Sequence, residues 1–193
     1  ISERVSISYN CKIGKECFLG VGSVIECTTI KNKVTISSNT VVGKSGFGFI
    51  PNKIKTHLTP HIGGVLIGEG TNIGAGCTID RGLLDDTQIG KYVMIDNQVH
   101  IGHNSKIDDF CILAGQVGLS GSVVLKKNVT IGGDVSIKDN VTIGEDSVIA
   151  GASKVFNNFP KGSYIGGSPA QDIKAWKRMI AVQRLDLKKR KNN

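Results

Sequence analysis

From residue 89 onward the chain can be counted in sixes. Ile89, Ile95, Ile101, Ile107, Leu113, Leu119, Leu125, Ile131, Ile137, Ile143, Ile149 and Val155 follow one another at that step. Two places earlier stand small or β-branched residues: Thr87, Val93, Val99, Ser105, Cys111, Val117, Val123, Val129, Val135, Val141 and Ser147. A second tract keeps the step at Ile7, Ile13, Leu19 and Ile25, with fragments at Ile30, Ile36, Val42 and at Ile67, Ile73, Ile79. Side chains alternate along a strand, so each aliphatic and the residue two before it face one interior. Each hexad therefore makes one short strand and a tight turn. The glycine that often follows the aliphatic is expected to supply turn conformations that other residues resist. Such units stack coil on coil and pair their backbones between coils, giving a β-solenoid.

The step fails in three places, and breaks in a regular scaffold are where function tends to reside. Residues 46–65, GFGFIPNKIKTHLTPHIGGV, leave the pattern for about three repeats. They carry Phe47, Phe49, His57 and His61, and read equally as a surface loop or as a flap touching an acyl chain or a sugar. In TIDRGLLDDTQIG at 78–90, the step from Ile79 to Ile89 is ten where two hexads need twelve. From residue 168 the solenoid pattern ends. Ser168 with Pro169 predicts a helix start, and Ile173, Trp176, Ile180 and Leu187 fall near one helical face. The expected organisation is a β-solenoid over 1–167 and a helical extension over 168–193 that covers its open end or packs on other copies.

Composition narrows the functional classes. The 193 residues suffice for a buried core. No run of about 18 apolar residues occurs, so no membrane-spanning helix is expected and at most peripheral membrane contact. The chain begins at Ile1 inside the repeat, which reads as a fragment or processed form lacking its natural N-terminus. Cys11, Cys17, Cys77 and Cys111 occupy the small inward column, and no CxxC pair exists, so the cysteines read as packing residues in a reducing compartment. The net charge of +8 suggests an acidic partner, a nucleic acid or an anionic membrane surface. Only 5% of residues are aromatic and no nucleic-acid module is visible, so nucleic acid is not expected. The Lys188–Lys191 run reads as a solvated tail or as an attraction for an acidic protein.

The hexads resemble the hexapeptide-repeat acyltransferases. That resemblance implies an all-β, left-handed parallel β-helix with a C-terminal α-helical segment, three hexads to each coil, and a homotrimer with sites between subunits. A more specific set follows in order: GFGF at 46–49, TIDRG at 78–82, LDDT at 84–87, IDNQ at 95–98, His103-Asn104, Ala114-Gly115, and SPAQ followed by Trp176. Together these resemble the UDP-3-O-acylglucosamine N-acyltransferases of lipid A biosynthesis over essentially the whole chain. Members of that family carry a uridine-binding domain before the β-helix. Their activity moves an acyl group, usually a 3-hydroxy fatty acid, from acyl carrier protein to the 2-amino group of UDP-3-O-acylglucosamine. The resemblance implies no cofactor beyond the donor's 4′-phosphopantetheine and a cytoplasmic location. Another hexapeptide acyltransferase, acting on a different sugar or with acetyl-CoA, and a non-catalytic solenoid scaffold are the competing readings.

Within DNQVHIGHN at 96–104 the family motif places the catalytic base at His103, before Asn104, and leaves His100 at a variable position. The repeat agrees: Ile101 points inward, so His103 lies beyond Gly102 near a corner, and His100 points outward. Histidine offers a neutral base near pH 7, and direct attack of the amine on the thioester needs an N–H donor for the oxyanion. One coil above His103 is Gly121, the position matching the family's oxyanion donor. Asn97, within IDNQ, and Phe47 are expected to contact substrate. Where many family members have a Gly-His pair this chain has Asp139-Asn140, so Asn140 can hydrogen-bond there but carries no proton. Where the family has methionines limiting the acyl chain, this chain reads Gly151-Ala152-Ser153-Lys154. A metal is not expected: zinc needs three or four convergent ligands, and the four histidines lie in two separate stretches.

Overall fold

The computed structural model describes residues 1–50 and 55–191, with side chains of the terminal helix described through residue 185. Three sheets, parallel except for the final strand Gln171–Asp172, form the faces of a solenoid. The first face has eight strands and includes Val41–Ser45, Thr78–Arg81, His100–Ile101, Gly118–Leu119, Ser136–Ile137 and Lys154–Val155. The second has seven, among them Thr28–Ile30, Val65–Ile67, Thr87–Ile89 and Lys106–Ile107. The third has nine, from Phe18–Leu19 through Met94–Ile95, Ile112–Leu113 and Val148–Ile149 to Tyr164–Gly166 and Gln171–Asp172. His100 pairs with Gly118 and Lys106 with Val124, so one regular coil is three hexads.

Both inward columns are buried as the period requires. Every aliphatic from Ile89 to Val155 is at most 4% exposed, and Thr87, Ser105, Cys111 and Ser147 beside them are fully covered. In the first coil Ile7 is exposed and Ile13 half-buried. Cys77 and Cys111 are buried packing residues, and all five cysteines are free thiols. Burial pushes the Cys111 thiol up to about 11 and raises Cys77 as well.

The turns differ from the expectation. At the regular corners the left-handed residue is not the glycine after the aliphatic but the residue three past it: Gln98, Asn104, Phe110, Gln116 and Ser122 have φ of 59–63°, and Gly43 after Val42 is an exception at 87°. Such a φ costs a non-glycine residue about 1–2 kcal/mol, which the coil contacts above and below offset. The glycine one past the aliphatic serves close approach instead. A Cβ on Gly102 would stand 2.6 Å from the Ser120 carbonyl carbon one coil on.

The breaks are insertions at one corner. Thr28 pairs with Val65, where a regular coil would bring it beside Gly46, so the first insertion doubles the length of its coil. Thr78 pairs with His100 and not with Asp96, so the second insertion is much shorter. The second corrects the sequence reading: Ile79 and Ile89 lie on adjacent faces, one lengthened step apart, and not two shortened steps. The helix also begins later than expected. Gln171–Asp172 runs antiparallel to Ile165–Gly166, keeping the backbone extended past Ser168, and the helix spans Ile173–Lys191. Asp172 is its cap, the Oδ1 accepting from the N–H groups of Lys174 (3.0 Å) and Ala175 (3.3 Å). Ile173 is buried and Trp176 and Ile180 half-buried, so these three share the packed side; the side chains of Leu187 and the Lys188–Lys191 run lie outside the described residues.

Candidate functional site

His103 follows the strand His100–Ile101 and stands at the corner between the first and second faces. A cleft of about 550 Å³ opens beside it on the first face, lined by Phe47, Asp80, His100, His103, Gly118, Gly121, Ser136 and Asn140 among others. Gly118 leaves the cleft floor open, since a Cβ there would meet nothing within 4 Å.

Both insertions are built around this corner and docked on each other. The N–H of Ile62 donates to Leu83 O (2.8 Å), and the N–H of Gly64 to Asp86 Oδ1 (2.7 Å). Arg81 reaches back from the TIDRG stretch to Ser45 Oγ (2.9 Å) and Cys27 Sγ (3.1 Å). The GFGF glycines are close-approach positions. A Cβ on Gly46 would lie 2.9 Å from His103 Cβ, and one on Gly48 would lie 2.8 Å from His61 Cε1. The ladder Phe49–Leu58 and Ile50–His57 carries the long insertion outward and back. Residues 51–54 of the expected loop lie outside the described residues.

The hydrogen bonds decide which nitrogen of His103 is the base. Asn104 Oδ1 accepts from the backbone N–H of Leu83 (2.9 Å). A backbone N–H can only donate, so the side-chain atom facing it is the oxygen. The same oxygen lies 3.0 Å from His103 Nδ1. In the neutral ring the hydrogen is therefore on Nδ1, leaving the lone pair on Nε2. Nε2 points at the next coil: a Cβ on Gly121 would stand 2.7 Å from it.

The N–H groups two places past an aliphatic are capped from the next coil at some corners and open at others, Gly115, Gly121 and Gly133 being among the open ones. Two places past an aliphatic, Asn32, Asn97 and Asp109 each cap a backbone N–H one coil back, those of Lys15, Ala75 and Lys91, at 2.7–2.9 Å. Asp139 holds that place above Gly121, but its Oδ2 accepts from Asn140 Nδ2 (2.8 Å) instead. Among the described residues the Gly121 N–H has no protein acceptor. A basic nitrogen and an unpaired N–H donor thus stand at adjacent coils of one cleft.

Of the sequence-predicted site residues, His103, Gly121, Phe47 and Asn140 share this cleft. Phe47 is 80% exposed and held edge-on by Phe49 at 5.2 Å. Asn97 is not among them. It sits at the corner between the third and first faces, its Oδ1 engaged by the Ala75 N–H and its Nδ2 by Asp96 Oδ1 (2.9 Å). The position is exposed and turn-forming, so within this chain its side chain serves the coil. His100 points outward as expected but also lines the cleft, 2.8 Å from Thr78 Oγ1 and 3.9 Å from Asp80 Oδ2.

Two further residues belong to the site: Asp80, not singled out from sequence, and His61, named there only within the 46–65 loop. Asp80 of TIDRG has a 14% exposed side chain. Burial pushes its carboxyl up, against the opposing pull of His100, His103, His61 and Lys44 around it. His61, 2% exposed, lies across the His103 ring with centroids 5.2 Å apart at 69°. The two histidine stretches, separate in sequence, therefore meet because the insertion folds back; His57 stays exposed on the outer ladder. Among the described residues no group of three or more His, Cys, Asp and Glu side chains is arranged to hold a metal.

Comparison with known proteins places the chain. The model of bacterial transferase hexapeptides (six repeats) matches residues 86–121, and that of the hexapeptide repeat of succinyl-transferase matches residues 11–44. A UDP-3-O-acylglucosamine N-acyltransferase of Legionella pneumophila is 44% identical over 168 residues, 87% of this chain and 49% of that protein. One of Methylorubrum extorquens is 38% identical over 167 residues, 86% of this chain and 48% of that protein. The chain thus spans about half the length of the curated relatives it matches. Among solved structures, a UDP-N-acetylglucosamine acyltransferase from Campylobacter jejuni superposes with a TM-score of 0.78 at 28% identity, covering 88% of this chain and 65% of that one. The chain is thus a hexapeptide-repeat β-solenoid that is similar, over most of its own length, to UDP-3-O-acylglucosamine N-acyltransferases.

Proposed function

We propose that this chain is the acyl-transfer part of a UDP-3-O-acylglucosamine N-acyltransferase of lipid A biosynthesis. The observation that carries the reading is His103 Nε2, free to act as a base and packed against Gly121 one coil on, in the same cleft as the unpaired Gly121 N–H. The 2-amino group of the sugar nucleotide attacks the thioester carbonyl of acyl carrier protein, and His103 Nε2 takes the proton that the nitrogen sheds. The carbonyl oxygen becomes an oxyanion and accepts from the Gly121 N–H. The C–N bond has formed; the C–S bond then breaks, and the departing phosphopantetheine sulfur takes the proton back from His103. The products are an amide and the free thiol of the carrier. No acyl-enzyme is formed and no cofactor takes part.

Phe47 and Asn140 flank the cleft and suit acyl and sugar contacts. Residues 1–167 would form the catalytic β-helix and 168–193 the helical extension. The exposed Lys174, Lys177, Arg178 and Arg184 on that helix suit an acidic carrier protein. Phe18, Met94, Ile112, Val148 and Tyr164, all exposed on the third face, suit burial in a homotrimer. Five free thiols suit the reducing cytoplasm, and no helix among the described residues is long and apolar enough to cross a membrane.

The test is acyl transfer by the full-length polypeptide, comparing acyl carrier protein with CoA thioesters and UDP-3-O-acylglucosamine with UDP-N-acetylglucosamine. The expected result is transfer from the carrier to the amine, lowered about 10²–10⁴-fold by His103→Ala. Transfer to the hydroxyl of UDP-N-acetylglucosamine alone would replace this reading with O-acylation. Full activity of His103→Ala would remove the base.

A further inference from the structure

The long insertion does more than border the cleft. His103 is fixed through Nδ1 by Asn104, but one hydrogen bond leaves an imidazole free to swing about it. The remaining walls of the ring come from elsewhere. Gly121 stands against its Nε2 edge and Gly46 against its Cβ and Cδ2. The ring of His61 lies across it at 5.2 Å and 69°, an edge-to-face geometry within the range that attracts aromatic pairs.

His61 is itself held rigidly. Its Nδ1 lies 3.0 Å from Thr59 O, a carbonyl that can only accept, so the hydrogen sits on Nδ1. Its Nε2 is buried with no hydrogen-bond partner among the described residues. Leaving a polar atom so placed costs about 1–3 kcal/mol. Gly48 is pressed against the far side, where any Cβ would strike the ring. Thr59, Gly48 and the insertion backbone thus clamp His61, and His61 faces His103.

We propose that His61 is a positioning residue for His103. It makes no contact with substrate and takes no proton. Its flat ring limits the swing of the base, so that Nε2 stays aimed at the Gly121 side of the cleft. The inference rests on the acyl-transfer reading for its kinetic consequence, but the orientation of His103 is measurable without any reaction.

The experiment compares wild type with His61→Ala, His61→Gln and His61→Phe in the full-length polypeptide. Two quantities are read: steady-state kinetics with acylated carrier protein, and the nitrogen resonances of the His103 ring by NMR. Ala and Gln are expected to lower kcat by about 10–100-fold, the range that a misplaced group costs, with KM changed less than about twofold. Phe retains a ring at that place and is expected to restore kcat to within about threefold of wild type. The His103 ring should show the Nδ1–H form in wild type and His61→Phe, and a mixture in His61→Ala. Unchanged kcat in His61→Ala, or an Nδ1–H form equally pure there, would overturn the proposal. So would a loss in His61→Phe as deep as in His61→Ala, since the imidazole nitrogens and not the ring surface would then matter. If His61→Ala does not fold, the contrast of Gln with Phe decides on the same criteria. If wild type transfers no acyl group, the function falls and the NMR comparison alone judges the positioning.

Discussion

His103 and Gly121 are separated by one coil, and any side chain on the glycine would occupy the space of the base. A Cβ there would lie 2.7 Å from Nε2 and 2.8 Å from Cε1. Gly121→Ala should therefore push the imidazole off its line while leaving the solenoid intact, since the position is at a corner and outside the core. The expected loss is about 10²-fold or more in kcat/KM, with a far-ultraviolet spectrum and melting temperature close to wild type. Activity within threefold of wild type would remove the close contact from the mechanism.

His100, which points outward from its strand, also lines the cleft beside His103. His100→Ala removes a hydrogen bond to Thr78 and part of the cleft wall. About 1 kcal/mol is at stake in such a bond, so KM for the sugar nucleotide should rise about fivefold with kcat changed little. A drop in kcat as deep as that of His103→Ala would mean that the two histidines share the proton.

Asn104 sets the tautomer of His103, and its φ of 59° restricts what can replace it. Asn104→Gly keeps the backbone and removes the acceptor; Asn104→Asp keeps an acceptor and tolerates the same φ. Gly should lower kcat by about tenfold or more, whereas Asp should retain most of it. Equal kinetics for the two variants would show that Asn104 acts only as a turn residue.

Asp80 has a folded-state carboxyl pKa above the ordinary value of 3.8. Between those two values the folded chain binds more protons than the unfolded one, so its contribution to stability falls as pH rises through that window and stays low above it. Asp80→Asn removes the penalty. Thermal melts near neutral pH should show the variant as stable as wild type or more so, with the difference shrinking as pH falls below the ordinary carboxylate range. Its transfer activity should fall, because the carboxylate faces three histidines of the site. A variant clearly less stable at neutral pH would mean that Asp80 is held by pairing and not strained by burial.

The helix Ile173–Lys191 packs on the last coil, away from the corner that holds His103. Reversing charge at Lys177 and Arg178, both exposed, should raise KM for acylated carrier protein and leave kcat little changed. A salt titration of kcat/KM should be shallower for the reversed variant. Identical slopes would make the helix a structural cap without a docking role.

Counting hexads was enough to settle the two buried columns, because a strand-and-turn unit repeats its burial rule locally at every step; the three-hexad coil came from the family resemblance. Together they placed His103 at a corner and Gly121 above it, since stacking in register is arithmetic once the coil length is known. Three other features needed tertiary structure. The corner glycines turned out to serve close approach, which depends on the neighbouring coil and not on local backbone preference. Asn97 proved to cap a backbone N–H at a different corner, a role that its motif does not reveal. His61 joined the site only because the long insertion folds back onto the corner of His103, whereas Asp80 reached it through the register of its strand beside that of His100. An insertion has no period, so its contacts are set by where its ends are anchored and by what the packing of both loops leaves beside the base.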